Sequence, residues 1–552
     1  MDRLLEKRLS QLLARNQCTL LCGGKKGLEK ESLRVTPSGQ IAKTPHPTAL
    51  GSPLTHPSIT TDYSEALLEF ITAPYAETDA VLAFLHQTHQ FVHHHLDDEL
   101  LWATSMPCLL EGEHTIPLAR YGCSNLGMFK HIYRRGLGHR YGHAMQIIAG
   151  IHFNYSLPER FWPVYQDHER DARPLKEFVS EAYFGLIRNL QRVGWLPIYL
   201  FGASPALCRS FFGNRQPNLP FFDAGTCFAP HATSLRMSDI GYRNKSPASL
   251  TICYDSLDDY LASLAHALRT PYPEYQRIGV MVDGQYRQLT ANLLQIEAEY
   301  YSTMRPKQTA LPHEPPSLAL KRRGIEYVEL RSLDLDPFSP IGITATEVRF
   351  LEALLLYCLL SESPLISHQE RQAINWNQAA VARQGRDPSL VLHSGLGTQP
   401  LGTLAMEVFD SLQGLCELLD SEEIEHPYQQ SLGLLKETIH DPEQTPSAKV
   451  LQAMRTHDES FFDFALRMAQ QHHAYFTQRP LSKPDSQIFQ EWARRSQLQQ
   501  QALEAADNIP FEAYLQQYFT RVEICNALPT LKPRATHGPN ATDMEIDSQA
   551  VK

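Results

Sequence analysis

The stretch Gly27-Leu28-Glu29-Lys30-Glu31-Ser32-Leu33-Arg34-Val35 reads as a strand, and its reading decides the fold. Side chains alternate across a strand, so Glu29 and Glu31 point to the same face. Two neighbouring carboxylates on one face repel each other and are costly to desolvate unless a cation lies between them. Taken alone, the pair reads first as a solvated strand face. The pattern recurs, however. Glu69 interrupts the apolar run Ala66-Leu67-Leu68-Glu69-Phe70-Ile71-Thr72, and Asp62 closes Ile59-Thr60-Thr61-Asp62 just before it. In Gly324-Ile325-Glu326-Tyr327-Val328-Glu329-Leu330-Arg331-Ser332, Glu329 and Arg331 share a face. In Gly150-Ile151-His152-Phe153-Asn154-Tyr155-Ser156, His152 and Asn154 share one face and the aromatic residues take the other. Several strands with one polar and one apolar face make a sheet lined with carboxylates, which suits hard divalent cations and the phosphates they bridge.

Around these segments strand and helix signals alternate irregularly, with no repeat. Strands are predicted at Leu28–Val35, Ala66–Thr72, Gly150–Leu157, Ile278–Val282, Leu294–Tyr301 and Ile325–Leu333. Helices are predicted at Asp79–Leu96, Leu175–Val193, Leu257–Ala267, Glu347–Ser361 and Leu404–Leu419, with an amphipathic helix at the N-terminus carrying Leu4, Leu5, Leu9, Leu12 and Leu13. This succession predicts an α+β fold, helices packed on a mostly antiparallel sheet. Gly202–Gly225 and Met304–Pro316 read as long loops. The chain divides into a single catalytic domain over 1–525 and a polar, aperiodic, disordered tail over 526–552.

The 552 residues carry a net charge of -11, with 43% hydrophobic and 20% charged residues. That balance suits a soluble, well-packed protein and argues against nucleic acid or anionic membrane as partner. An anionic nucleotide would therefore be handled by local arginines or metal ions. The ten cysteines form no CxxC pair and read as reduced thiols. The N-terminus has no apolar signal segment, and the longest apolar run, Phe350–Leu360, is too short for a bilayer. A cytoplasmic location follows.

Arg134 and Arg135, Arg236, and Arg331 each lie beside an apolar segment and offer the bidentate geometry that carboxylate and phosphate require. Singly each suits an ordinary ion pair; together with the acids they point to phosphoryl transfer to a carboxylate. Two other signals are set aside. Gly23-Gly24-Lys25-Lys26-Gly27 lacks P-loop spacing and runs into a strand. His86, His89 and His93 share a helical face, but no cysteine or carboxylate completes a zinc set.

The blocks GLEKESLRV, LGSPLTHPSITTDYSEALLEFIT, MPC, GIHFNYSL, LFGASPA, ATSLRMSDIGY and GIEYVELRSLDLDPFSPIG closely resemble the proteobacterial glutamate–cysteine ligases, in order, from about residue 25 to about residue 515. The resemblance implies a glutamine-synthetase-like curved antiparallel sheet, with helices on its convex side and substrates on its concave face. It implies Glu29, Glu31, Asp62, Glu69, His152 and Glu329 as magnesium-site residues (manganese being an alternative ion), and Arg134 and Arg331 as phosphate-contacting catalytic residues. It implies Tyr133, Gln146, Tyr242 and Tyr301 for cysteine, and Arg236 and Asn154 for glutamate. Lys26 stands where an arginine is usual, and the cysteines after residue 360 are placed differently, so no regulatory disulfide carries over.

The implied reaction is ATP- and Mg-dependent ligation of the glutamate γ-carboxylate to cysteine through γ-glutamyl phosphate, the first step of glutathione biosynthesis. Glutathione as feedback inhibitor and a monomeric state are implied with it. The alternatives are a ligase of the same fold joining glutamate to another amine, a non-catalytic nucleotide- or metal-binding relative, and a metal-dependent hydrolase. The last explains the carboxylates but not the arginines.

Overall fold

In the computed structural model the acid-bearing segments become adjacent strands of one sheet. The structure describes residues 3–107, 109–241, 250–311, 314–395, 397–421 and 424–526, so Tyr242 and the tail from residue 527 lie outside the described residues. The sheet comprises β1 (Lys25–Val35), β2 (Ile59–Thr61), β3 (Leu67–Ile71), β4 (Leu100–Leu101), β5 (Ile151–Ser156), β6 (Met304–Lys307) and β7 (Tyr327–Leu333). The strand order is β6-β7-β5-β1-β3-β2, with β4 paired to the far end of β1. Every pairing is antiparallel.

Register is what assembles the site. Glu31 lies opposite Glu69, Glu29 opposite His152, and Glu329 opposite Asn154 on one side and Arg305 on the other. A one-residue slip would turn every one of these side chains to the other face. That face carries Leu28, Phe70, Phe153, Tyr155, Val328 and Leu330, all buried.

The helices of the described residues include α1 (Arg3–Ala14), α2 (Thr78–His93), α3 (Asn125–Tyr141), α4 (Leu175–Val193), α5 (Leu257–Arg269), α6 (Ala345–Leu360), α7 (Leu401–Leu419), α8 (Phe461–Thr477) and α9 (Phe511–Asn526). Helices α2 and α4 lie on the apolar face, and α6 packs on both of them. Helix α6 opens with a capping box between Thr344 and Glu347. Lys26 of β1 reaches Glu352 of α6 at 2.8 Å, both side chains almost wholly buried. The Tyr428 hydroxyl donates to the same carboxylate at 2.6 Å. A buried pair of this kind is costly to break singly, about 3–5 kcal/mol, and so pins the helix layer to the sheet.

A second, smaller core stands apart from the main one: Phe129 and Ile132 of α3 with Leu289 and Leu515 of α9, flanked by Tyr133, Ile296 and Tyr514. It holds α3 over the polar face of the sheet. No described helix is long and apolar enough to cross a membrane.

Helices α2, α4, α5, α6 and α7 fall where sequence periodicity placed them, and so do β1, β3, β5 and β7. Four segments differ. Gly202–Gly225, expected as a loop, carries the buried strand Ala206–Cys208, paired antiparallel with Thr226–Phe228, and the 3₁₀ turn Arg209–Phe212. Leu294–Tyr301 is not a strand but contains the 3₁₀ turn Glu297–Glu299. Its apparent alternation arises because Glu299 accepts hydrogen bonds from Arg140 and Tyr141 of α3, each at 2.8 Å, and Glu297 from the Ser317 hydroxyl at 2.6 Å. Ile278 ends a short helix; Gly279 then takes a φ of 79°, leaving only the two-residue strand Met281–Val282. Met304–Lys307, expected to open a loop, is instead the edge strand β6.

Candidate active site

The polar face of the sheet and α3 enclose a cavity of about 430 Å³. Glu29, Glu31, Asp62, Glu69, His152 and Glu329 all line it, as do Tyr133, Arg134, Gln146, Arg236, Tyr301 and Arg331. A second cavity of about 1030 Å³ lies at the other end of β1 and β5, lined by Gly27, Glu29, Asn154, Trp162, Ile325 and Tyr327 among others. Glu29 belongs to both. Asn154, expected beside Arg236, faces the larger cavity because β5 carries it one alternation beyond His152.

At the junction His152 Nδ1 lies 2.8 Å from Glu29 Oε2 and 3.9 Å from Glu329 Oε1, and Asn154 Nδ2 donates to Glu29 Oε1 at 3.0 Å. Glu29, His152 and Glu329 each bring a ligand atom within 4.8 Å of the others, and among the described residues they are the one such group of metal-binding side chains. Two carboxylates and an imidazole suit magnesium or manganese, the imidazole favouring manganese somewhat. Burial, then the Arg331 charge, lowers the His152 pKa against the pull of Glu29. The imidazole is therefore neutral, as a metal ligand must be. Cation binding would replace the Nδ1 proton.

The acids divide electrostatically. Burial pushes the Glu29 carboxyl up, but its hydrogen bond with His152 and nearby positive charge bring it below the ordinary value. Burial likewise pushes Glu329 up, but the charges of Lys307 and Arg331 hold it well below. Glu69 goes the other way, raised well above by burial and by the charges of Glu29, Asp62 and Glu31. Glu31 is pushed up to about 8 by burial and the charge of Asp62, although its Oε2 accepts the Gly150 N–H at 2.6 Å. The first pair is ready to bind a cation; the second is short of positive charge.

Arginines surround the acids. Arg134 of α3 stacks 4.8 Å above the Tyr121 ring, hydrogen-bonds the Asp62 carbonyl and lies 3.5 Å from the Asp62 carboxylate. Arg331 Nη1 donates to Glu329 Oε2 at 3.2 Å. Arg236 sits on a 3₁₀ turn capped by Ser234, 1% exposed, donating to the Arg331 carbonyl at 3.0 Å. Buried Asp334, 3.6 Å from Arg236, accepts from Ser234 Oγ and the Ala203 N–H, both at 2.9 Å. Gly150 makes room for this arginine: a Cβ there would overlap the guanidinium.

Sequence reasoning missed Lys130, Arg305 and Lys307, which line the same cavity. The signal was present for two of them, since Arg305 and Lys307 share a strand face as Glu29 and Glu31 do. The histidine face of α2 serves the core instead. His89 and His93 are buried on the apolar side, stacked on Phe476 at 5.2 and 4.9 Å.

A sequence model described as glutamate-cysteine ligase matches residues 9–381. The glutamate–cysteine ligase of Alcanivorax borkumensis is 46% identical over 520 residues, covering 93% of this chain and 99% of the relative. That of Hahella chejuensis is 47% identical over 527 residues, covering 95% and 100%. The chain belongs to the glutamate–cysteine ligase family. Its fold agrees: the crystal structure of the Francisella tularensis glutamate–cysteine ligase in complex with AMP superposes with a TM-score of 0.86 at 35% identity, covering 91% of this chain and 99% of that one. A bifunctional glutathione synthetase from Pasteurella multocida shares the fold at a TM-score of 0.68 and 24% identity, covering 85% of this chain and 55% of that one. As a glutamate–cysteine ligase the chain is an enzyme, and the two cavities meeting on an acid-lined sheet are where its chemistry is sought.

Proposed function

We propose that this ligase uses ATP and magnesium to phosphorylate the glutamate γ-carboxylate and then transfers the γ-glutamyl group to the cysteine amine. The observation that carries the reading is the meeting of the two cavities at Glu29, with the Glu29–His152–Glu329 group at the junction. The larger cavity has the volume and apolar lining a nucleotide needs, and the Francisella relative was crystallised with AMP. The smaller one carries the charges that two amino acids need.

A divalent cation held by Glu29, His152 and Glu329 would offset the charge of the β- and γ-phosphates. The chain's residues do the remainder. Arg236, held by Asp334, takes a glutamate carboxylate. Arg331 and Arg134 would offset the charge on the phosphoryl oxygens as the group passes from ATP to the γ-carboxylate. Asn154, beside Glu29 on the nucleotide side, belongs to the phosphoryl end of the path. Tyr133, Gln146 and Tyr301 form the cysteine end. Attack by the cysteine amine on γ-glutamyl phosphate forms the amide, releases phosphate and leaves ADP in the larger cavity. Positioning and charge compensation account for most of such a rate.

The test is ADP release with magnesium and ATP, adding glutamate alone, cysteine alone and both. Strong release that requires both, with γ-glutamylcysteine as product, is expected. Absence of amino-acid-dependent release from folded enzyme would refute the mechanism.

A further inference from the structure

Lys307 sits on edge strand β6 with its Nζ 2.9 Å from Glu329 Oε1. That oxygen is the one turned toward His152, whose Nδ1 is 3.9 Å away. The ammonium therefore occupies the same carboxylate oxygen that a cation between Glu29, His152 and Glu329 would take. Arg331 holds the other oxygen, Oε2, at 3.2 Å. The two bases differ in freedom: the Lys307 side chain is 30% exposed and the Arg331 side chain 18%. Lys307 also stands at a boundary. It lines the smaller cavity, whereas Gln308, Thr309 and its cross-strand partner Tyr327 line the larger one.

We propose that Lys307 is an exchangeable counterion: it neutralises Glu329 while the site holds no metal, and swings to the nucleotide phosphates when a divalent cation takes Glu329 Oε1. The inference rests on the metal-assisted reading above and adds an order of events to it. A lone ammonium on a flexible stem suits this exchange better than the planar, more deeply buried Arg331 guanidinium, whose Nη1 lies 3.2 Å from Glu329 Oε2 and 3.5 Å from His152 Nδ1. It also answers a physical difficulty. The empty acid pair Glu29 and Glu329 would repel strongly when buried, and a displaceable cation keeps both ionised and ready.

The experiment measures Mn²⁺ binding to the full-length enzyme without nucleotide, by the paramagnetic resonance of free Mn²⁺, and then ADP binding at saturating Mn²⁺. In Lys307→Gln, Mn²⁺ should bind about tenfold or more tighter, since removing a competing charge at this range is worth one to three decades. ADP should bind about tenfold weaker to the same variant, for loss of one phosphate contact. Lys307→Arg, which keeps the cation, should retain wild-type ADP affinity and shows that the strand still folds. Lys130→Gln removes a charge from the same cavity without touching Glu329 and should not tighten Mn²⁺ comparably. Unchanged Mn²⁺ affinity in Lys307→Gln, equal tightening in Lys130→Gln, or unchanged ADP affinity would each overturn the exchange while leaving the metal site intact. Failure of every protein, wild type included, to bind Mn²⁺ with or without ADP would instead overturn the metal reading itself, and the exchange with it.

Discussion

Replacing Glu31 by glutamine removes a charge the empty site holds at a loss. The Glu31 carboxyl is 4% exposed, and its pKa is pushed from 4.5 up to about 8. An acid whose folded-state pKa lies above its unfolded value weakens the fold once pH exceeds the unfolded value. The penalty grows by about 1.4 kcal/mol per pH unit until the folded value is reached. It is thus negligible at pH 4.5, about 4 kcal/mol at pH 7.5, and constant above pH 8. Glutamine keeps the bond from Gly150 but buries an amide, which takes back about 1–2 kcal/mol. The net gain near pH 7.5 is about 2–3 kcal/mol. With 552 residues at about 2.1 cal/mol/K each, unfolding entropy is about 1.2 kcal/mol/K, so the melting point rises by about 2–3 °C. The assay is thermal melting of both proteins in chelator, without nucleotide, from pH 5 to 8.5. Glu31→Gln should melt at or slightly below wild type at pH 5, cross it, and lead by a constant margin above pH 8. A margin that does not change with pH, or a wild type that stays ahead throughout, would refute the reasoning. The same variant should lose about 10²-fold or more in ADP release, because the anion is needed once cations and phosphates are present.

Glu329→Gln should lose about 10³-fold in turnover, with weaker Mg²⁺ dependence, since it removes an anionic member of the Glu29–His152–Glu329 group; near-normal magnesium kinetics would contradict the assignment. Gly150→Ala would drive a methyl group into Arg236 and should cut kcat/KM for glutamate by about 10²-fold while leaving the KM for ATP near wild type. Equal losses for both substrates would show that the strand, not the arginine, had moved. Removal of residues 529–552 should change neither melting point nor turnover, because the sequence of that segment is polar and aperiodic; loss of folded protein would refute it.

Most of the sheet was legible because acids embedded in apolar strands are conspicuous. Glu69 between Leu68 and Phe70, and Glu329 between Val328 and Leu330, mark both the strand and the face that carries chemistry. β6 was not legible. It is four residues long and contains Pro306, which an edge strand tolerates but which reads locally as a loop. Missing it hid Arg305 and Lys307. Arg236 and Gln146 lie on 3₁₀ turns, where no period marks a direction; Arg236 stood out only as an arginine beside an apolar segment, and the family resemblance alone singled out Gln146 and gave Arg236 to glutamate. The larger cavity had no local signature at all, since it draws on β1, β5, β7, the start of the helix Phe161–Glu169 at Trp162 and the segment at Gln308 and Thr309. Buried Glu297 and Glu299 imitated a strand because their partners, Ser317 and Arg140, are remote in sequence.

The small core of Phe129, Ile132, Leu289 and Leu515 gives the enzyme walls of unequal durability. The larger cavity, proposed for the nucleotide, rests on Tyr155, Leu157, Trp162 and Ile325, all members of the main core. The smaller one, proposed for the amino acids, leans on α3, which that four-residue patch helps fasten to α9. Mild heat or low denaturant is therefore expected to open the α3 wall first, as regions with few buried apolar contacts open before the whole. An enzyme damaged in this way would still hold its nucleotide yet no longer tell one amine from another, and its first sign of ageing would be a loss of discrimination rather than of binding.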